Sequence, residues 1–353
     1  MQATDTPDLG QSEYYALPTF RVQGGLHDIA ACAGVSEAKS EFSGAEWDQV
    51  SLGQAESVFA IPQDTGVMGM FYRKDLFEKE GIPVPATWDE FAAAAEKIHA
   101  LGASITNFSV SSGEIPPFVG LVAQAGGNWF QSGDDGWTVD FTGAESAKVA
   151  EYWQSLLAKG YISTVPGFTD SWNAAYNAGE VWTWFSGAWG ANSFIGGTPD
   201  LEGDWAVAPL PQWNAGANLS APWGGSSTAV FQFTEHPYEA AKFALWLNTD
   251  AEALKGMVGL GQFPATSTLR AKVPSLSEGL SFFGGQAIYA DFASYSENSA
   301  SFTWGPTMTQ VFSDVADAFS AVIAGNGTLL EGLATAQGKT VDTLKAAGIP
   351  VKQ

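Results

Sequence analysis

Basic residues are scarce in this chain. Lys and Arg total 15 against 38 Asp and Glu, a formal charge of −23 over 353 residues. A surface of that sign repels phosphate backbones and anionic lipid, so no nucleic-acid partner is expected. Strongly anionic ligands are disfavoured too, unless a local basic pocket receives them. Cysteine is nearly absent: Cys32 stands alone, which excludes an intramolecular disulfide and a cysteine-rich metal site. The three histidines, His27, His99 and His236, are isolated from one another. Neither a histidine metal cluster nor a Ser-His-Asp arrangement has a supporting motif, and no cofactor or metal is expected. No apolar run reaches the roughly 18 residues that a membrane-spanning helix needs. The opening M-Q-A-T-D-T-P-D-L-G has neither a basic region nor an apolar core, so it does not read as a signal peptide.

Aromatic side chains are abundant instead, with 14 Trp, 9 Tyr and 23 Phe in a chain that is 45% hydrophobic. The length allows two domains and a large core. Many tryptophans stand beside Gly, Pro or Ser rather than within regular apolar periodicity. Core packing accounts for some of them, and the others need a different reason.

The stretch 58–77, V-F-A-I-P-Q-D-T-G-V-M-G-M-F-Y-R-K-D-L-F, reads as two strands, 58–61 and 67–72, leading into a helix at Lys74. Between them lies a polar break. Pro62 offers no ladder donor, and Gly66 permits a positive φ, so the chain can turn there. Gln63 and Asp64 then either sit in a plain turn or face a cleft; both readings stand at this point.

Along the rest of the chain, residues 1–12 read as irregular and 30–57 as loop and short helix anchored by Trp47. A helix from Lys74 is capped by Gly81, with Asp75 and Lys79 spaced as an i,i+4 pair. Four capping boxes are expected, pairing Thr87 with Glu90, Thr142 with Glu145, Thr249 with Glu252 and Thr328 with Glu331. Trp88, Phe91, Ala95 and Ile98 fall on one helical face, as do Val311, Phe312, Val315 and Phe319 later. Trp129 is expected at an exposed turn. Strands alternating with helices predict an α/β fold with parallel sheets. Weak, Gly- and Pro-rich segments near 62–66, 218–226 and 302–306 suggest three crossings between two lobes. The lobes are then 1–65 with 221–303, and 66–220 with 304–353. Ligands of open α/β sheets sit beyond the carboxyl ends of strands, which favours a cleft between lobes.

Aromatic–glycine motifs fall at or near those crossings: Trp189 after Gly187, Trp223 before Gly224 and Gly225, and Trp304 before Gly305. An indole offers a flat apolar platform with a polar edge, and glycine lets a backbone approach closely. Neutral sugars suit such a site, because their C–H faces pack on rings while hydroxyls pair with Glu13, Gln63, Asp64 or Asn173. The plainer alternative is that these tryptophans close lobe interfaces.

The segment F-A-I-P-Q-D-T-G-V-M-G-M-F-Y-R-K-D-L-F-E-K-E-G-I-P-V-P-A-T-W-D-E-F resembles the extracellular solute-binding proteins of bacterial ABC importers, in the carbohydrate branch that includes maltose-binding protein. Further matches follow in the family's order: E-Y-Y-A-L-P-T-F-R-V-Q-G-G-L-H-D-I, V-W-T-W-F-S-G-A-W, W-A-V-A-P-L-P, P-W-G-G-S-S and W-G-P-T-M-T-Q-V. One departure is Arg73, where the family usually has Asn; it reads as conservative. The resemblance implies a two-lobed periplasmic-binding-protein (type II) fold with three inter-lobe crossings. It also implies closure around a sugar, delivery to a membrane permease, a monomer, and an extracellular or periplasmic, lipoprotein-anchored location. Carried over by position, the ligand contacts are Glu13, Tyr14, Gln63, Asp64, Trp189, Trp223, Gly224, Gly225 and Trp304, with Trp172 and Trp184 as further candidates. Trp223→Ala is then expected to weaken sugar binding with little loss of fold. Family members begin with a signal peptide and a strand–helix–strand–helix block. This sequence enters after that block, so the first lobe is expected to be incomplete.

Two other functions compete. A glycoside hydrolase also has aromatic clefts and carboxylates, but it needs two carboxyls flanking one bond, for which only Glu13 and Asp64 qualify. An interaction module without a small ligand is the third.

Overall fold

The stretch 58–77 folds differently from expectation. In the computed structural model, which describes residues 6–270 and 272–352, Ala60–Arg73 is one unbroken strand. The expected break is held straight by pairing: Thr65 N donates to Phe263 O (3.0 Å) and Ala265 N to Gln63 O (2.9 Å). Gly66 does not adopt a positive φ. It is glycine because another backbone lies against it: a Cβ there would sit 2.3 Å from the carbonyl carbon of Gly224. The glycine serves close approach, and no turn is made.

Eight strands form among the described residues: β1 (Leu9–Glu13), β2 (Ala60–Arg73), β3 (Ser104–Thr106), β4 (Phe130–Gly133), β5 (Gly136–Val139), β6 (Val181–Gly187), β7 (Trp205–Ala208) and β8 (Pro222–Val230). One expectation is corrected by this order: part of the irregular start is β1. The crossing expected at 218–226 falls within β8, where the chain passes from one compact unit to the other between Trp223 and Gly224. The chain separates into two compact units. Unit 1 comprises Met1–Gly66, Gly224–Glu278 and Trp304–Met308; residues 1–5, the first half of the opening segment read for a signal peptide, lie outside the described residues. Unit 2 comprises Val67–Trp223, Gly279–Thr303 and Thr309–Gln353. Residues 279–303 therefore group with unit 2: Gln286 bonds both the N–H and the carbonyl of Val207, and Phe292 lies against Gly69.

In unit 1, β1 pairs antiparallel with β8, placing Glu13 opposite Ser226 and Gln11 opposite Thr228. Leu17, Ile29, Val50, Phe59, Ile61 and Phe263 are buried in its core. In unit 2, β2 pairs antiparallel with β6 and β7, while β3 runs parallel to β6. The expectation of parallel sheets is thus corrected. Alternating strands and helices fix element order, but strand direction depends on which distant segments return alongside. Phe71 is the hub of this core, its ring meeting Trp184, Phe194, Phe283 and Phe292 at centroid distances of 5.7–5.9 Å.

The helical faces form as the periodicity implies. Trp88, Phe91, Ala95 and Ile98 are buried, as are Val311, Phe312, Val315 and Phe319. The caps are mixed. Thr328 and Glu331 complete their box, whereas Thr87 caps Glu90 N while Glu90 reaches Ala86 N instead of Thr87. Gly143 and Asp250 are the N-caps where Thr142 and Thr249 were expected; Asp250 supplies its own carboxylate to two amides. Trp129 is fully buried, donating to Ser146 Oγ (3.1 Å) and stacked on Phe141 at 4.4 Å. Asp75 pairs with Arg73, and Lys79 turns to Glu80. Arg73 itself is buried, with a two-pronged contact to Asp75 (2.8 and 2.7 Å) and a bond to Tyr176 O. Asparagine could not span those partners, so this departure from the family is not conservative.

Gly66→Ala is expected to destabilise the protein by about 3 kcal/mol or prevent its accumulation, because backbone rather than a movable side chain meets the new methyl. Gly81→Ala, at φ +64 with open space around it, should cost only about 1 kcal/mol. Urea unfolding of the two variants checks the contrast.

Candidate ligand-binding site

The expected site residues fall into two groups, one in each unit. In unit 1 the organising element is β8. Ser226 stands opposite Glu13 of β1, while its N–H (2.7 Å) and its hydroxyl both donate to Asp64 Oδ1 of β2. The two carboxyls therefore lie on strands either side of one serine. Burial pushes Glu13 up to about 8, with the charge of Asp64 adding to the effect. Burial also raises Asp64 to about 6, outweighing the two bonds from Ser226. Both carboxyls therefore hold a proton more readily than an exposed carboxylate, Glu13 more so than Asp64, so the row offers a donor beside an acceptor.

Tyr14 is buried beside them, and its hydroxyl has no hydrogen-bond partner. Its ring packs where a Cβ on Gly225 would go (2.8 Å). Gly224 and Gly225 both have positive φ, +76° and +83°. In this structure they make room for Tyr14 and Gly66. Gln63 is engaged within the unit, accepting from Thr228 Oγ1 (2.9 Å) and donating to Gln262 (3.3 Å). Trp304 is buried and meets Tyr15 edge-on at 6.1 Å. Arg270, not singled out from the sequence, approaches Glu46 at 3.7 Å and covers Phe263.

In unit 2, Trp172, Trp184, Trp189 and Trp223 do come together. Trp184 meets Trp172, Trp189 and Trp223 at 5.1, 5.7 and 5.8 Å, and Trp189 meets Trp223 at 4.9 Å. Trp172, Trp184 and Trp223 are buried, so they form a packed wall rather than open platforms. Asn173 does not join them in a shared pocket; its side-chain oxygen lies against Gly197. The wall borders a pocket of about 50 Å³, partly open to solvent, with Asn107, Ser109, Glu114 and Trp153 among its other lining residues. Ser109 and Ser111 hydroxyls both donate to Glu114 Oε2, the second at 2.8 Å. Two polar atoms of the pocket residues are buried without partners: the indole N–H of Trp153 and the side-chain oxygen of Asn107. Each costs free energy until something pairs with it.

The sequence reading missed Asn107, Ser109 and Glu114. They lie after the short strand β3, in the segment that leads to the helix Pro116–Gln124, and no spacing motif marks them. Among the described residues no group of three or more His, Cys, Asp or Glu could hold a metal ion. Nor is any described helix long and apolar enough to cross a membrane.

Residues 1–278 match the family of bacterial extracellular solute-binding proteins. The chain belongs to that family. A galacto-N-biose/lacto-N-biose I-binding protein of an ABC transporter from Bifidobacterium longum, solved with lacto-N-biose, is 31% identical with a TM-score of 0.86, covering 98% of this chain and 84% of that one. An ABC-transporter-associated binding protein from B. animalis subsp. lactis, solved with β-1,6-galactobiose, is 29% identical with a TM-score of 0.88, covering 99% and 88%. The lactose-binding protein of Rhizobium radiobacter is 26% identical over 336 residues, 91% of this chain and 76% of that protein. The solute-binding protein accordingly has the periplasmic-binding-protein type of fold that its sequence motifs imply.

Two outcomes follow for this solute-binding protein. Trp223 is only 5% exposed, so Trp223→Ala should cost about 3–5 kcal/mol of stability, contrary to the sequence expectation of little loss of fold. Glu13 binds its proton more tightly folded than unfolded. Its contribution to stability is therefore complete below pH 4.5 and lost as pH rises through about 8. Between pH 5 and pH 8, Glu13→Gln should lose about 2 kcal/mol less stability than the wild type, read by chemical denaturation at each pH.

Proposed function

We propose that this solute-binding protein is the carbohydrate receptor of an ABC importer, capturing a neutral mono- or oligosaccharide and passing it to a membrane permease. The observation that carries this is the unit 2 pocket. Aromatic walls suit the C–H faces of a sugar ring, while the unpaired Trp153 N–H and Asn107 oxygen, beside the Glu114 carboxylate, suit its hydroxyls. The chain's excess of acidic residues disfavours anionic solutes, and similar proteins are named for lactose and lacto-N-biose or were solved with β-1,6-galactobiose. In unit 1 the row of Glu13, Ser226 and Asp64 offers donor and acceptor to further hydroxyls, with Tyr14 and Trp304 beside it. The two units correspond in this proposal to the two lobes. The protein works as a monomer on the outer side of the membrane, held there by a lipid anchor.

A second reading has one observation in its favour. Glu13 and Asp64 lie on strands either side of Ser226, and burial raises Glu13 further than Asp64, the direction of split that acid–base hydrolysis uses. The family consists of binding proteins, and the receptor reading expects no turnover.

Calorimetric titration with lactose, lacto-N-biose, β-1,6-galactobiose and arabino-oligosaccharides should find at least one ligand with a micromolar or tighter Kd, recovered chemically unchanged. Glu114→Gln should weaken that ligand by roughly tenfold or more, the worth of a charge-assisted bond. If no sugar in the panel binds, the receptor reading fails; if a glycosidic bond is cleaved and Asp64→Asn abolishes the cleavage, the hydrolase replaces it.

A further inference from the structure

Phe168 is the most unusual residue of unit 2. It has φ +57°, in the left-handed region that bulky side chains avoid, and it is 51% exposed. Its ring stacks on Trp172 at 5.6 Å and 28°, and also meets Trp184 at 5.8 Å and Trp189 at 6.2 Å. A packing role alone explains half of this. Phe168 immediately precedes Thr169, the N-cap of the helix Asp170–Asn177, where an apolar side chain often folds back onto the first turn. A residue serving only that purpose would bury its ring. Here one face stays in solvent, in a backbone conformation that a glycine or asparagine would adopt at lower cost.

What holds the segment in place is informative. Asn107 Nδ2 donates to Val165 O (2.8 Å), and Gly167 N donates to Ser109 Oγ (3.2 Å). The Glu114 carboxylate occupies the space of a Cβ on Gly167, which would lie 1.7 Å from Oε1. Thr169 Oγ1 donates to Pro166 O (2.7 Å). The three polar residues of the unit 2 pocket are therefore the same three that fix residues 165–167, and through them Phe168. Trp184 is common to both, lining the pocket and contacting Phe168. The exposed ring thus stands one aromatic width from the pocket, aligned by the pocket's own side chains.

We infer that Phe168 is a platform for a second sugar ring. A saccharide with one ring at Asn107, Ser109 and Glu114 lays the next against the free face of Phe168, so the protein selects disaccharides or longer chains over monosaccharides. This inference rests on the carbohydrate reading above. The left-handed backbone is kept because it turns the ring outward beside the pocket, a position that a residue in the helix would not reach.

The test is calorimetric titration of wild type, Phe168→Leu and Phe168→Tyr with D-galactose, D-glucose, lactose, lacto-N-biose and β-1,6-galactobiose. Leu preserves apolar cover over Trp172 but lacks a flat face; Tyr restores one. Wild type should prefer a disaccharide. Phe168→Leu should weaken that disaccharide by about three- to tenfold, leave monosaccharide affinity unchanged, and melt close to wild type. Phe168→Tyr should retain wild-type affinity. Phe168→Gly, which accepts the backbone conformation without strain, keeps the result readable if Leu fails to fold, and should lose the disaccharide preference to a similar extent. A disaccharide affinity untouched by Phe168→Leu or Phe168→Gly overturns the inference alone, as does equal loss for mono- and disaccharides or a wild type that shows no preference. Failure of wild type to bind any sugar overturns the carbohydrate reading and this inference with it.

Discussion

Unit 1 depends on one contact without side chains. At Gly66 the backbone of β2 lies so close to Gly224 and Gly225 of β8 that no Cβ fits between them. That approach brings Asp64 within reach of both donors of Ser226. It also sets Ser226 opposite Glu13 and leaves a slot over Gly225 for the Tyr14 ring. The acidic row, the buried tyrosine and the left-handed pair of glycines are consequences of a single backbone constraint. A methyl group on Gly66 would disturb all of them together.

The electrostatics of that row follow from burial more than from partners. Desolvation is the largest influence on both Glu13 and Asp64, and for Glu13 the neighbouring charge adds to it. Two carboxyls in such a place cannot both ionise cheaply, so one keeps a proton and becomes a donor. A hydroxyl-rich neutral ligand suits a row that offers one donor and one acceptor. An anion would meet Asp64 without compensation.

In unit 2 the aromatic residues divide by exposure. The buried indoles of Trp172, Trp184 and Trp223 support a wall, and their loss registers first as lost packing. The unpaired N–H of Trp153 and oxygen of Asn107 are the opposite case: groups whose burial costs free energy and which a ligand can satisfy. Site and scaffold are thus told apart by what is left unfinished, more clearly than by residue type.

The sequence by itself determined a good deal. Apolar spacing gave the helical faces around Phe91 and Val315, and the ordered motifs gave the family and its fold. The acidic composition set the sign of the surface that a ligand meets. Gln63, Asp64 and Glu13 were legible as candidate polar groups, whereas three of the four clustered tryptophans expected as sugar contacts are buried in packing. What the sequence could not settle were properties of segments that meet only after folding. Gly66 beside Gly224, Ser226 between two carboxyls, and Glu114 against Gly167 each join residues from separate stretches of the chain. A turn signal at Pro62 and Gly66 was outweighed by the hydrogen bonds of 263–265. Phe168 carries no motif at all, because a positive φ on a phenylalanine is imposed by the side chains that clamp its loop. Local chemistry chose the elements; long-range pairing decided their direction, their burial and which polar atoms remain to be satisfied.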